Sequence, residues 1–369
     1  MKITCLKSDL SNSVNIALKA VSSKTTMPIL ECIVIDVGEV IRFIANDMEL
    51  GIETIVKGTI TETGKIAINA KIFADIVRKL PDNDVSIETD KNYTMHITCE
   101  KAKFTISGKS DNEFPLIPKI EKTTPLELSQ FALKEIIRQT VFSISDNENN
   151  KIMTGELFEI ENEMMRVVSL DGSRISIRKI TLGSSFPATK VIVPGKTLQE
   201  ISKILSGEVE EKVKIFFTEK HILFEFNDTL VLSRLIDGEY YRINQMLSGD
   251  YNTRFTVNKK ELLDCIDRAT LLLKDSEKMP IILGIKDAMM ELRMNTKIGS
   301  MNETIDIIKE GSNILIGFNP KFLLDALRVI DDEDVTLYMT NPKAPCFIKD
   351  RKESYTYLIL PVNFNTISR

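Results

Sequence analysis

The sequence predicts an α+β protein made of three repeated domains, each with two helices packed on antiparallel sheet. Two observations predict it. A cation, acid and cation at helical offsets i, i+4 and i+7 occur three times, as Lys71-Asp75-Arg78, Lys196-Glu200-Lys203 and Lys321-Asp325-Arg328, at a fixed period of 125 residues. Around each copy the same order recurs, a strand, the helix, then three strands, and a second unit of the same kind lies upstream. Offsets of four and seven fall on one face of a helix. Each copy therefore presents the same charged stripe while its apolar residues face elsewhere.

Local periodicity sets each element. In the first copy residues 65–70 alternate as a strand, 71–80 carry helical spacing, and 85–88, 95–99 and 103–106 alternate again. The second copy has a strand at 190–195, a helix at 196–205 and strands at 213–217, 222–226 and 230–233. The third has them at 314–320, 321–330, 335–339, 346–348 and 355–360. Upstream, apolar spacing predicts helices over 6–21, 133–144 and 257–273, making six in the chain. These lead into strands such as 33–37 and 42–45, and 157–160 and 165–169. Apolar residues alternating between polar turns mark half-buried antiparallel strands. Turn residues at 121–125 and 248–251 interrupt the pattern, dividing the chain into domains 1–121, 122–250 and 251–369.

Composition excludes several classes. Hydrophobic content of 43% and charged content of 27%, with no low-complexity tract, describe an ordinary globular chain of 369 residues. The opening Met1-Lys2-Ile3-Thr4-Cys5 alternates like a strand and lacks a signal core, and no run approaches a membrane span. The chain is expected to be cytoplasmic. Cys5, Cys32, Cys99, Cys265 and Cys346 are odd in number and include no C-x-x-C pair, which argues against disulfides or zinc and for reduced core residues. A net charge of -5 opposes a simple polyanion binder, unless the basic stripes face one way and the surplus carboxylates another.

Catalytic chemistry is not legible. His96 and His221 sit in alternating segments without a carboxylate or cysteine at metal-ligand spacing, and read as strand residues. Gly195-Lys196-Thr197 imitates the end of a phosphate-binding loop, but Lys190 stands where that pattern needs glycine. Asp331-Asp332-Glu333-Asp334 recurs as Pro81-Asp82-Asn83-Asp84 and Gly207-Glu208-Val209-Glu210, so a solvated acidic turn accounts for it. No nucleophile with a base and an orienting partner can be assembled from local spacing.

The stripes have a plain reading as solvated salt-bridged faces, worth a few tenths of a kcal/mol per pair. Against it, other helices add cations: Lys7 and Lys19, Lys134 and Arg138, and Lys259, Lys260 and Arg268. The acid in each triad keeps the stripe weakly basic, which suits loose phosphate contact. No aromatic platform or base-reading motif accompanies it, so sequence-specific recognition is not supported.

From Met1 to about Phe364 the chain resembles the bacterial DNA polymerase III beta subunits, the DNA sliding clamps. The resemblance is carried by Met1-Lys2-Ile3-Thr4, Met27-Pro28-Ile29-Leu30, the helices 71–80 and 196–205, Glu113-Phe114-Pro115, Asp171-Gly172-Ser173-Arg174, Leu235-Ile236-Asp237-Gly238, Gly317-Phe318-Asn319 and Leu360-Pro361, in that order within the threefold repeat. It implies three DNA-clamp domains and a head-to-tail homodimer, a six-domain ring with helices lining the hole; such a heterologous contact closes when its rotation permits. The implied activity is that of a non-enzymatic processivity factor without cofactors. The ring would encircle duplex DNA without sequence specificity, be opened by an ATP-driven clamp loader and tether the replicative polymerase. Implied partners are DNA, a second copy, the loader's delta subunit, the polymerase alpha subunit, translesion polymerases, DNA ligase and mismatch-repair proteins, in a cytoplasmic, nucleoid-associated setting.

Site residues follow from the same resemblance. Lys24, Asn147 and Lys151 match positions that touch DNA, joining Lys71, Arg78, Lys196, Lys203, Lys321 and Arg328. Phe104, Leu271 and Leu272 match the dimer interface. A pocket between domains two and three, for short peptides with a glutamine and apolar anchors, would comprise Met153, Leu170, Gly172, Arg174, Ile175, Tyr241, Met246, Met279, Asn319, Phe322, Leu358, Ile359, Leu360, Pro361 and Val362. Ser173, Tyr241 and Asn363 depart from the common pattern, as does the tail Asn365 to Arg369, which bears on peptide preference and rim charge. The alternative is a monomeric three-repeat interaction scaffold that does not encircle DNA.

Overall fold

The computed structural model describes residues 1–22, 25–247, 251–273 and 279–364. Lys24, the boundary residues 248–250 and the tail Asn365 to Arg369 lie outside the described residues. The first repeat runs β1 (Lys2–Leu6), α1 (Lys7–Ala17), β2 (Cys32–Val37), β3 (Ile41–Asn46), β4 (Leu50–Val56), β5 (Thr59–Glu62), β6 (Gly64–Asn69), α2 (Ala70–Lys79), β7 (Asp84–Thr89), β8 (Thr94–Cys99) and β9 (Ala102–Ser107). The second runs β10 (Leu126–Ser129), α3 (Gln130–Thr140), β11 (Gly155–Leu170), β12 (Arg174–Pro194), α4 (Gly195–Ile204), β13 (Lys212–Phe217), β14 (His221–Phe226) and β15 (Thr229–Arg234). The third runs β16 (Thr253–Asn258), α5 (Lys259–Thr270), β17 (Ile281–Lys286), β18 (Met289–Asn295), β19 (Ser300–Asp306), β20 (Ile308–Gly311), β21 (Ile314–Phe318), α6 (Pro320–Val329), β22 (Asp334–Met339), β23 (Cys346–Lys349) and β24 (Tyr355–Ile359). The repeated order of helices and antiparallel strands is the expected one, with six α-helices among the described residues.

The helix starts follow from their sequence. Asn69, Asn258 and Asn319 cap α2, α5 and α6, each side-chain oxygen accepting from a first-turn backbone N–H at 3.0, 3.1 and 3.0 Å. At α4 the first residue is Gly195 because a Cβ there would lie 2.2 Å from Ile144 Cδ1 and 2.9 Å from the Thr154 carbonyl. On α2, Ala70, Phe73, Ala74 and Val77 are buried at helical spacing, and Phe73 meets Phe43 edge-on at 6.1 Å between ring centroids.

The strands form four antiparallel sheets, and two of them cross from one repeat to the next. One is ordered β10-β13-β14-β15-β4-β3-β2-β6 and joins the first repeat to the second through β4 and β15. Another is ordered β11-β12-β24-β23-β22-β16-β20 and joins the second to the third through β12 and β24. The others are β5-β1-β7-β8-β9 and β19-β18-β17-β21. The chain accordingly divides into two compact units, Met1–Lys134 with Lys196–Leu235, and Glu135–Gly195 with Ile236–Arg369. Each unit holds one shared sheet and so one seam between repeats.

Two details differ from the periodicity reading. Residues 157–160 and 165–169 belong to a single 16-residue strand, β11, paired along the 21-residue β12. The polar run Glu161-Asn162-Glu163 is a bulge, not a turn: the register shifts on either side of Asn162, whose φ is 54°. The short strands β5 and β20 are mostly exposed and lack the alternation that would have announced them. All five cysteines are buried and free, and burial pushes the Cys5 thiol up to about 11.

Candidate functional site

The three triads occupy equivalent helix faces but bind different partners. On α2, Arg78 Nη1 lies 3.0 Å from Asp75 Oδ1, and both are exposed. On α4, Lys203 Nζ lies 2.7 Å from Glu200 Oε1, and Lys196 reaches Asp47 at 2.7 Å. On α6, Asp325 accepts from Arg174 Nη1 at 2.7 Å instead, and Arg328 turns to Asp267 at 3.2 Å. Lys71, Lys196, Lys203, Lys321 and Arg328 are all exposed, as are Asn147 and Lys151 on the second repeat. The exposed pairs Asp75–Arg78 and Asp267–Arg328 contribute at most about 1 kcal/mol each to stability.

Two of the additional cations have a structural role that the sequence did not reveal. Lys134 Nζ donates to the Leu205 carbonyl at 3.1 Å, and Lys259 Nζ donates to the Ile330 carbonyl at 2.7 Å. In both repeats a lysine from the first helix thus satisfies a carbonyl at the C-terminal end of the second. Arg138 is committed to Glu135 and Asp331, Lys260 to Asp264 and Arg268 to Glu303. These residues support the helices and add little free positive charge.

The second seam gathers several of the residues expected to form a peptide groove. Across it Ile175 faces Leu358 and Arg174 faces Ile359. Leu360 N–H extends the ladder by donating to the Ser173 carbonyl at 2.9 Å, and Val362 N–H donates to the Gly317 carbonyl at 2.8 Å. The floor is a buried cluster that includes Leu157, Leu170, Ile175, Tyr240, Ile243 and Leu358, with Met153 packed against it. Tyr241, Met246, Met279, Leu360 and Val362 are large apolar residues left 38% to 53% exposed. Gly172 stands in the turn between β11 and β12 at φ 90°, a conformation that favours glycine. Ile359 is different: it is fully buried in the third-repeat core, so it supplies backbone and no groove surface.

Arg174 ties the groove to α6. Its Nε donates to Asp171 Oδ2 at 2.9 Å, Nη1 to Asp325 Oδ2 at 2.7 Å and Nη2 to the Phe142 carbonyl at 2.6 Å. The guanidinium lies 4.2 Å from the Phe322 ring centre, a cation–π stack. Burial works against its charge, but Tyr357, Asp325 and Asp171 outweigh that, and its pKa is raised. Asn319 caps α6 beside Phe322, and Asn150 Nδ2 holds the Tyr241 hydroxyl at 2.7 Å.

Two of the edge strands adjoin the residues expected at a dimer contact. β9 ends the five-stranded sheet and carries Phe104, 39% exposed; β19 ends the four-stranded sheet. Leu271, at the end of α5, is 79% exposed, while Leu272 packs partly on the third-repeat core. Ile298, in the turn before β19, is 55% exposed and was not anticipated, because nothing in the local pattern says which strand ends a sheet. Unpaired edges beside exposed apolar residues are templates for strand pairing. Among the described residues no group of His, Cys, Asp and Glu is arranged to hold a metal.

Three family models match in succession: the DNA polymerase III beta subunit N-terminal domain over residues 1–118, its central domain over 127–241 and its C-terminal domain over 244–363. The beta sliding clamp of Bacillus subtilis (strain 168) is 36% identical over 379 residues, covering 98% of this chain and 99% of that protein. The beta sliding clamp of Staphylococcus aureus is 32% identical over 374 residues, with 98% and 99% covered. The crystal structure of a putative DNA polymerase III beta subunit from Eubacterium rectale matches with a TM-score of 0.95 at 63% identity, covering 99% of this chain and 100% of that one. The Bacillus subtilis DNA polymerase sliding clamp structure matches at 0.94 and 35% identity, with the same coverage. With matching domain models in order, full-length relatives and the same fold, the chain belongs to the DNA polymerase III beta subunit family, the sliding clamps, and is a non-catalytic processivity factor of DNA replication.

Proposed function

We propose that two copies of this chain close head-to-tail into a ring around duplex DNA. The observation that carries this is that two edge strands, β9 in the first repeat and β19 in the third, each lie beside exposed apolar residues and in different repeats. β9 is flanked by Lys101 and carries Lys103, while β19 carries Asp306 and also Glu303, which is paired with Arg268. A contact between the two edges is heterologous and uses a different surface on each copy. One chain is 41.7 kDa, so native mass spectrometry should find a particle of twice that mass, and Phe104→Glu should return it to 41.7 kDa. A wild-type particle of 41.7 kDa at micromolar concentration would support the monomeric scaffold instead.

In this reading, domains 1–121, 122–250 and 251–369, doubled by dimerisation, direct the stripes toward the enclosed DNA. Lys71, Arg78, Lys196, Lys203, Lys321, Arg328, Asn147 and Lys151, with Lys24, make loose phosphate contacts that carry no sequence information. Phe104, Leu271 and Leu272, joined by Ile298, hold the dimer. An ATP-driven loader opens the ring through its delta subunit. The groove at the second seam then receives peptides with a glutamine and apolar anchors, from the polymerase alpha subunit and in turn from translesion polymerases, ligase and mismatch-repair proteins. Its exposed methionines let it repack around different anchors. The setting is the cytoplasm, on nucleoid DNA.

A further inference from the structure

We propose that Asp325 is a positioning residue of the peptide groove, holding the Arg174 guanidinium from the middle of α6; the proposal rests on the groove reading above. The acid of a triad can pair with the cation three residues on, as Asp75 does with Arg78 at 3.0 Å and Glu200 with Lys203 at 2.7 Å. Asp325 instead accepts from Arg174, 151 positions away in sequence. Helix geometry does not force this exchange, because the i, i+3 reach is the same in all three helices. The difference is a buried arginine on the adjoining strand.

Arginine presents five N–H donors in a rigid fork. Asp171, Asp325 and the Phe142 carbonyl take one donor from each of the three nitrogens, at 2.9, 2.7 and 2.6 Å. Three fixed directions pin the guanidinium plane, and that plane lies on Phe322 at 4.2 Å. Arg174 is itself buried, so it acts on a bound peptide through the Phe322 ring that it holds in place. Without the Asp325 carboxylate, Nη1 loses its anchor while Asp171 still holds Nε. The fork can then tilt toward its remaining anchors, Asp171 and the Phe142 carbonyl, and Phe322 loses its stacking partner. Asp325 touches no ligand and acts only through Arg174.

Fluorescence anisotropy with a fluorescein-labelled synthetic peptide carrying one glutamine and two apolar anchors tests this on the full-length dimer. Asp325→Asn should weaken binding about tenfold, Asp325→Glu should recover part of it, and Asp75→Asn should leave it unchanged. In an Arg174→Gln background, Asp325→Asn should change affinity by less than about twofold, because its effect passes through Arg174. Equal losses in both backgrounds, or losses that merely follow each variant's melting midpoint, would overturn the proposal. So would unchanged affinity in Asp325→Asn while Leu360→Ala with Pro361→Ala abolishes binding. If that last pair leaves affinity unchanged, the groove reading falls and this proposal falls with it.

Discussion

The two seams between repeats share a backbone plan and differ in what their side chains leave open. At the first, Ser233 faces Leu50 and Arg234 N–H donates to the Glu49 carbonyl at 2.9 Å; at the second, Ile359 faces Arg174 and Leu360 N–H donates to the Ser173 carbonyl at 2.9 Å. The first seam covers its apolar rungs from within and leaves a largely polar cavity of about 480 Å³ lined by Asp9, Lys57, Thr54, Asp228 and Thr229. Thr54 and Thr229 share a buried hydrogen bond of 2.9 Å, and Lys196 bridges to Asp47 at 2.7 Å. Ile117 of the linker covers Gly51, where a Cβ would lie 2.9 Å from its Cγ1. Ile117 and Ile120 also pack over Phe216, Leu223 and Leu232. At the second seam Ile175 stands beside a buried arginine, and Leu360 and Val362, which continue from β24, stay partly exposed. The same ladder occurs at both seams, and the side chains at a few rungs decide whether a polar cavity or exposed apolar residues adjoin it.

The largest expected effect separates the seams by charge. Arg174→Ala leaves Asp171 and Asp325 facing each other without their shared cation, and should cost about 3–5 kcal/mol of unfolding free energy in urea, with loss of peptide binding. Leu50→Ala at the matching rung should cost about 2–5 kcal/mol through a cavity alone and leave peptide binding intact. If both variants lost peptide binding equally, the seams would not differ in the way described.

Leu360→Ala with Pro361→Ala comes next. Because Leu360 is partly exposed, unfolding should change by less than about 1 kcal/mol, while peptide affinity should fall about tenfold or more. A stability loss without an affinity loss would make this segment a structural strand end.

The smallest effect concerns Glu156, fully buried on β11 behind the second seam. Burial drives its carboxyl pKa well above 4.5, against the opposing hydrogen bond from Thr140. The folded state therefore keeps a proton that the unfolded state releases, and stability falls as pH rises from 4.5 toward the folded pKa. Glu156→Gln should be more stable than the parent at pH 7, with the gain vanishing as pH drops below 4.5. A gain independent of pH would mean that packing, not ionisation, is responsible.

Six helices, most of the strand order and the triads that mark the repeat were legible from local spacing, whereas the exposed β5 and β20 and the continuity of β11 were not. Nor were pairings across long stretches of chain. The register of β4 with β15 and of β12 with β24 is set by partners that no local pattern names. The triads show the same limit. Lys71-Asp75-Arg78 and Lys321-Asp325-Arg328 look alike in sequence, yet the second acid belongs to Arg174 because β12 passes beside α6. Lys134 and Lys259 looked like polyanion contacts until the helix ends beneath them came into view. The residues proposed for the groove were named only through family resemblance, since exposed Leu360 and buried Ile359 are neighbours in one apolar run.

Encirclement is the central claim, and linearising a loaded circle tests it most directly. The protein is loaded by a clamp loader with ATP onto a nicked circular plasmid, isolated by gel filtration, and the circle is then cut once. The account predicts that the protein stays with the circle through moderate salt and leaves within minutes of the cut, because a ring slides off free ends. Retention on the linear DNA, or loss from the intact circle with rising salt alone, would contradict it.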